Sequence, residues 1–164
     1  MLYRADEGIL LWVEVMARLC FAISLAALTV LSVLSLDARL AYAWAEDADD
    51  CMTGSGDARI QGCSRIIKSG RLFGKPIGNV NLAIAYNKRG ITHGNKVQYD
   101  HAIADFNKAI SLNQNYAKAY NNRGYVYAKK GDHDRAIADF RKALKLDPSI
   151  ETSKKGLERL GVSP

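Results

Sequence analysis

The cysteines are the side chains of this 164-residue chain best suited to covalent chemistry. Cys51 and Cys63 lie twelve residues apart, and Cys20 lies in an apolar N-terminal stretch. If that stretch is removed on export, an even pair remains in an oxidising compartment, which favours a disulfide. Closing a loop of this size would stabilise the fold by about 2–3 kcal/mol. The alternative is a buried Cys63 with a free Cys51.

The remaining reactive side chains form no recognisable catalytic or metal motif. His93, His101 and His133 have neither the spacing of a zinc-binding helix nor that of a catalytic triad. The cysteines have no second Cys or His pair at a zinc-ligand spacing. Residues 70–75 are similar to a phosphate-binding loop, but they are one residue too short, and Pro76 replaces the Ser or Thr. We predict a protein that is not an enzyme and has no cofactor and no metal.

Composition and charge favour a globular protein with a solvated surface. Apolar residues make up 48% of the chain and charged residues 24%, which argues against a disordered or fibrous protein. The net charge is +6, with Lys and Arg spread over all predicted helices and mixed with Asp and Glu. We therefore expect no nucleic-acid interface, which would need clustered cations with interleaved aromatics. Asp100 and Asp105 are interpreted as part of a solvated helix face and as a helix cap.

Residues 1–43 have the features of an export signal. Residues 19–36 carry no charge, and small-x-small cleavage motifs follow at residues 41–43 and 43–45. Met16 would give a short basic region before the apolar run, so it is a plausible true start. The alternative is an uncleaved membrane anchor over residues 19–36, since 18 apolar residues reach the lower end of the spanning length. Both interpretations place the remaining chain outside the cytoplasm, either periplasmic or secreted.

An internal repeat organises the second half of the chain. Residues 83–116 and 117–150 align without a gap at a period of 34, and 16 positions are identical. Each unit contains two helical patterns separated by a turn. In the second unit, apolar and small residues recur at helical spacing on both sides of a break at Gly131. Asp132 is a candidate N-cap for the helix that follows the break.

The repeat resembles the tetratricopeptide repeat (TPR) family, in a variant similar to exported bacterial members. The second unit carries the resemblance at Tyr120, Gly124, Tyr127, Ala136, Phe140, Ala143 and Pro148, and the first at Tyr86, Gly90, Ala102, Phe106 and Ala109. The first unit departs from the pattern at His93, at Val97 in place of the inter-helix Gly, and at Gln114 in place of Pro. Because Gly94 also falls inside its first helix, we expect that helix to be looser and its turn less defined.

The resemblance implies an all-α fold, a short TPR solenoid of antiparallel helix pairs. Two repeats leave apolar faces open at both ends, so capping segments are expected. Residues 44–82 are predicted to form a loop, a capping helix from about residue 57 to residue 69 closed by Gly70, and a loop over residues 70–81. Residues 151–164 are predicted to form the C-terminal capping helix. We expect about six helices in total.

The resemblance also implies a peptide-binding groove on the concave face. In the family, five positions of each first helix line this face; here they are Ile84, Asn87, Ile91, Gly94 and Asn95, then Lys118, Asn121, Tyr125, Ala128 and Lys129. The amides of Asn87 and Asn121 suit a peptide backbone, and Lys118 and Lys129 favour an acidic segment or a C-terminal carboxylate. The alternative for both Asn residues is that they satisfy polar groups between repeats.

The sequence favours a non-catalytic protein-interaction module that binds a peptide or protein segment with about micromolar affinity, and that has the potential to oligomerise. One alternative is a membrane-anchored assembly factor with the same repeats. A second is an accessory subunit or small enzyme with an unrecognised site. No nucleic-acid partner is expected, and membrane contact is expected only through residues 19–36 if they are retained.

Overall fold

The computed structural model describes residues 38–164, in two compact units divided after Tyr42. Of the first unit only residues 38–42 are described, and they are helical. The expected signal or anchor, including residues 19–36, Met16 and Cys20, lies outside the described residues. Within residues 38–164, no helix is long and apolar enough to span a membrane.

The second unit, residues 43–164, is an all-α solenoid of antiparallel helix pairs, as expected. Helical residues 43–52 form α1, which the sequence did not predict. The other elements are α2 (Gly56–Ser69), β1 (Arg71–Leu72), β2 (Lys75–Pro76), α3 (Asn79–Asn95), α4 (Tyr99–Leu112), α5 (Ala117–Lys129), α6 (His133–Leu146) and α7 (Glu151–Arg159). The repeats are therefore the pairs α3–α4 and α5–α6, with α2 and α7 packed at their two ends.

Small residues let the two helices of each repeat approach closely around a buried ring. A Cβ added to Gly90 would lie 2.8 Å from the Phe106 ring, and one added to Gly124 would lie 3.1 Å from the Phe140 ring. Both Phe rings are fully buried, beside alanines with no exposed surface. The recurring Gly and Phe of the sequence repeat thus form one packing unit that is used twice.

The turn inside the first repeat is as well defined as the turn in the second, contrary to the expectation from its sequence. Gly131 has φ +82°, and Val97, at the equivalent position, has φ +62°. The left-handed conformation favours Gly, and a β-branched residue adopts it at a cost. The first repeat therefore makes the same turn with a strained residue, and α3 continues through Gly94 to Asn95.

Val97→Gly is expected to stabilise the protein by about 1 kcal/mol. The relief of left-handed strain, about 1–2 kcal/mol, exceeds the entropy that Gly adds to the unfolded state, about 0.4–1 kcal/mol. The Val97 side chain is exposed, so little packing is lost. Chemical denaturation measures the change. Val97→Ala keeps the strain and serves as the control; equal effects of the two changes would contradict this explanation.

A disulfide joins α1 to α2. The structure links Cys51 to Cys63, as expected, and both residues are fully buried in a core cluster with Ile66 and Ala85. The two helices touch at Gly62, where an added Cβ would lie 2.5 Å from the Cβ of Asp50. The inner face of α2 is centred on Cys63 and Ile66, while Ile60 and Ile67 are half-buried.

We expect the purified, unreduced protein to yield a linked pair of tryptic peptides. Cleavage at Arg59 separates Cys51 from Cys63, so the bridge alone joins the peptide that ends at Arg59 to the peptide Ile60–Arg65. Mass spectrometry of alkylated protein before and after reduction tests this. Two separately alkylated peptides in the unreduced digest would contradict the bridge. The double change Cys51→Ala with Cys63→Ala is expected to cost about 2–3 kcal/mol.

The segment after α2 is a β-hairpin rather than the predicted loop. Arg71 pairs with Pro76 and Leu72 with Lys75, in antiparallel register. Phe73 and Gly74 form the turn, both with positive φ, at +50° and +74°. A two-residue hairpin turn of type I′ needs this conformation at both turn positions. Residues 70–75, whose likeness to a phosphate-binding loop was rejected from the sequence, lead into and form most of this hairpin.

Candidate functional site

The first helices of the two repeats, α3 and α5, carry the predicted groove residues. Tyr125 is 52% exposed, which is unusual for a large aromatic side chain, and Lys118 and Lys129 are also exposed. Ile91 is half-buried. The Lys129 ammonium lies 5.5 Å from the centre of the Tyr125 ring, within cation–π range. This part of α5 therefore presents an aromatic face with a positive charge beside it.

A small pocket lies between α3 and α5, which we call the tyrosine pocket. Its volume is about 140 Å³, and its lining residues are Ile91, Gly94, Asn95, Phe106, Asn122, Tyr125 and Val126. Gly94 keeps this space open, because its missing side chain would lie 3.4 Å from Val126. The pocket brings together Ile91, Gly94, Asn95 and Tyr125 of the predicted set. Its size fits one medium-sized apolar side chain, and Asn95 and Asn122 add polar groups to a lining that is otherwise mostly apolar.

A second, more open pocket of about 510 Å³ lies at the other end of the same helices, and we call it the lysine pocket. Its lining residues are Val80, Ile84, Asn113, Asn115, Tyr116, Ala117, Lys118, Leu146 and Asp147. The pKa of Asp147 is lowered, first by the hydrogen bond from the Ser149 side chain and to a smaller extent by the charge of Lys118. An acidic ligand at Lys118 would therefore compete with Asp147.

The repeated Asn residues make contacts between neighbouring elements. Asn87 is 4% exposed, and its Oδ1 accepts a hydrogen bond from Asn122 at 3.0 Å. Asn121 Oδ1 accepts hydrogen bonds from Thr152 at 2.9 Å and from Ser153 at 2.8 Å, which tie α5 to α7. The alternative role, satisfying polar groups between repeats, describes both residues here. Asn122, which sequence reasoning missed, lines the tyrosine pocket in their place.

Arg89 and Arg123, which occupy equivalent positions in the two units, each join the two helices of their own repeat. Arg89 binds both carboxylate oxygens of Asp105, at 2.9 and 2.7 Å, and Arg123 binds those of Asp139, at 2.7 and 2.8 Å. Each hydrogen bond raises the pKa of its Arg. The interpretation of Asp105 as a cap or solvated residue is therefore wrong, because this carboxylate is buried against a guanidinium.

The histidines do not assemble a site among the described residues. His93 Nδ1 lies 2.7 Å from Gln98 Oε1, and its ring stacks on His101 at 5.4 Å between centroids. His133 is exposed at the start of α6. Within residues 38–164, no group of three His, Cys, Asp or Glu side chains is arranged to hold a metal ion. His93 and His101 thus pack against each other, with His93 Nε2 4.0 Å from the Asp105 carboxylate, and His133 faces solvent.

Family comparisons agree with the repeat geometry. Residues 117–150 match the tetratricopeptide repeat family model, and residues 98–131 match a second model, described as TPR repeat. The first match coincides with the α5–α6 unit, and the second runs from the second helix of one unit to the first helix of the next. The repeats are therefore of the tetratricopeptide type. A comparison with curated protein sequences found no relative.

Solved structures of TPR domains share this fold. The Arabidopsis OM64 TPR domain is 25% identical, with a TM-score of 0.55, covering 64% of this chain and 79% of that chain. The first TPR of Spaghetti (RPAP3), bound to the HSP90 peptide SRMEEVD, is 21% identical, with a TM-score of 0.55, covering 64% of this chain and 76% of that chain. The second TPR domain of human RPAP3, in complex with the HSP70 peptide SGPTIEEVD, is 19% identical, with a TM-score of 0.54, covering 76% of this chain and 92% of that chain. The fold of residues 43–164 is a short TPR solenoid.

Proposed function

We propose that this protein is a non-catalytic interaction module that binds a short protein segment on the concave face of α3 and α5. The observation that carries the proposal is the tyrosine pocket, an apolar cavity that Gly94 keeps open beside the exposed Tyr125 and the cation of Lys129. Such a surface binds through contacts, and exposed aromatic anchors supply most of the energy of such interfaces.

The bound segment is proposed to be acidic and to carry one apolar side chain. The apolar side chain enters the tyrosine pocket, and carboxylates lie near Lys129 and Lys118. The peptides in the two RPAP3 structures end in the acidic sequence EEVD, which supports this class of ligand for a similar fold. Because two repeats make a short groove, affinity is expected to be about micromolar.

Tyr125→Ala is expected to weaken partner binding about 30-fold, because truncating an aromatic anchor costs about 2 kcal/mol or more. Tyr125 is half-exposed, so the fold should remain intact.

Gly94→Ala narrows the tyrosine pocket, and the better helix propensity of Ala stabilises α3 by about 1 kcal/mol. It should therefore weaken binding several-fold and raise the melting temperature. Calorimetric titration with the partner identified by pull-down measures the binding, and thermal unfolding measures the stability.

Two double variants that each remove two positive charges test the electrostatic contribution to partner binding. Lys118→Gln with Lys129→Gln removes two charges from the concave face, and Arg141→Gln with Lys145→Gln removes two exposed charges from α6. The first pair should weaken binding, and the loss should shrink in high salt; the second should have little effect. If the second pair abolishes binding and the first preserves it, the concave-face assignment is wrong.

The setting that we propose for this module is the bacterial periplasm, reached through an export signal within residues 1–43. The apolar stretch, the cleavage motifs and the buried Cys51–Cys63 bridge support this placement. N-terminal sequencing of the protein from its native host tests it. A mature chain that begins near residue 44 or 46 is expected, and a retained Met1 or Met16 would favour the anchored form.

A further inference from the structure

The charges of the described chain are unevenly distributed. Residues 58–99 contain eight Lys and Arg residues and no Asp or Glu, whereas residues 44–57 contain five acidic residues and no basic one. The expectation that cations and carboxylates mix evenly therefore fails in the N-terminal half of the solenoid. Such a segment needs carboxylates from elsewhere in the fold, or an anionic partner, to balance it.

Three of these cations form ion pairs within the fold, and a fourth donates to a backbone carbonyl of α1. Arg65 pairs with Asp47 and Asp50, Arg89 with Asp105, and Lys96 with Asp57, while Lys88 donates to the Met52 carbonyl. Three others, Lys68, Arg71 and Lys75, are exposed at the end of α2 and on the β-hairpin, where Arg71 also donates to the Gly74 carbonyl at 3.2 Å. None of the three forms an ion pair with another residue of 38–164. These three cations therefore lie on one small projection of the fold, formed by the end of α2 and the β-hairpin.

The tip of this projection is an exposed aromatic residue held in an unfavourable conformation. Phe73 is 60% exposed and has φ +50°, in the left-handed region. The hairpin register fixes the turn, and the Trp44 ring supports it from one side, where a Cβ on Gly74 would lie only 2.4 Å away. A large apolar side chain at a strained, exposed position adds little to folding. Strained residues of this kind concentrate at functional sites.

We propose that the β-hairpin binds an anionic phospholipid surface. Phe73 inserts at the boundary between headgroups and acyl chains, and Lys68, Arg71 and Lys75 contact lipid phosphates at headgroup level. Each cation near such a surface raises affinity about fivefold. A standard protein interface buries about 800 Å² on each partner, whereas a membrane contact needs only the tip of the hairpin. The contact is separate from the peptide groove.

The test uses the full chain with Phe73→Trp, titrated with vesicles whose acyl chains carry bromine, a short-range quencher of indole fluorescence. One set contains phosphatidylglycerol in phosphatidylcholine, and the other contains phosphatidylcholine alone. Subtracting the wild-type signal removes the two native tryptophans, so the difference reports position 73 even if residues 19–36 insert by themselves. Tyr125→Trp is the matched control, an exposed aromatic position outside the hairpin.

Quenching at position 73 in the anionic vesicles, with none at position 125, is expected. Adding Arg71→Gln and Lys75→Gln to the Phe73→Trp chain should lower its affinity for the anionic vesicles about 25-fold. Phe73→Gly, which relaxes the turn, should raise thermal stability while lowering vesicle binding of the otherwise wild-type chain. No quenching at position 73, or equal quenching in the neutral vesicles, would overturn the proposal. A change in the fluorescence at position 73 on adding polyglutamate without lipid would also overturn it, because that result would assign the hairpin to an acidic protein partner.

Discussion

Phe140→Ala is expected to destabilise the protein by about 3–5 kcal/mol, because truncating a buried Phe removes its transfer free energy and leaves a cavity. The ring is 2% exposed and serves two contacts at once. Added Cβ atoms would lie 3.1 Å from it at Gly124 and 2.6 Å from it at Gly156. It therefore joins both helices of the second repeat to α7, and its loss should loosen the C-terminal cap as well.

Thermal and urea unfolding measure this effect, and the melting temperature should fall by more than about 10 °C. Phe140→Leu keeps most of the volume and is the control, with an expected loss below about 1.5 kcal/mol. Hydrogen exchange should show α7 losing protection together with α6 in the Ala variant. A shift of only a degree or two would mean that the ring is not enclosed between α5, α6 and α7.

Asp139→Ala is expected to cost about 3 kcal/mol, the second largest effect. The Asp139 side chain is 8% exposed and accepts two hydrogen bonds from the Arg123 guanidinium, which is 19% exposed. Removing the carboxylate leaves a largely buried cation without its partner, and this loss is strongly destabilising. Asp134→Ala, on the exposed side of the same helix, is the control, and its effect should stay within about 1 kcal/mol.

A double-mutant cycle separates the pair from its surroundings. Arg123→Met keeps the apolar stem that packs beside Tyr120 and Tyr127, whose ring centres lie 5.6 and 5.9 Å from the guanidinium carbon. The double variant should lose less stability than the sum of the two single losses, because the unpaired charge is gone. Additive losses would mean that Arg123 and Asp139 do not stabilise each other.

Local signals in the sequence predicted most of the fold. The period of 34 indicated the helix pairs, and the equivalent Gly and Phe positions indicated their packing, because close approach of helices restricts residue type. Asp132 was correctly identified as a cap, since its side chain accepts a hydrogen bond from the Arg135 backbone. Gly70, which has a left-handed conformation, closes α2 as expected.

Features that depend on contacts distant in sequence were missed. The buried role of Asp105 requires an Arg sixteen residues earlier, and the one signal for it was the recurrence of Arg and Asp at the same places in both units. For Asn87 and Asn121 the sequence left two roles open, and the structure shows both accepting hydrogen bonds from neighbouring elements. The β-hairpin was hidden because Phe73 is a rare residue for a left-handed turn position.

Site-specific photocrosslinking in the native host tests the central claim, that the concave face binds a protein segment, most directly. Benzoylphenylalanine replaces Tyr125 in one full-length chain and Lys142, exposed on α6, in another. After irradiation, denaturing gels and mass spectrometry identify the adducts. We predict an adduct between position 125 and an acidic segment of another protein, and no adduct from position 142. A free synthetic peptide with the sequence of that segment should suppress the adduct. An adduct from position 142 alone would contradict the proposed binding face.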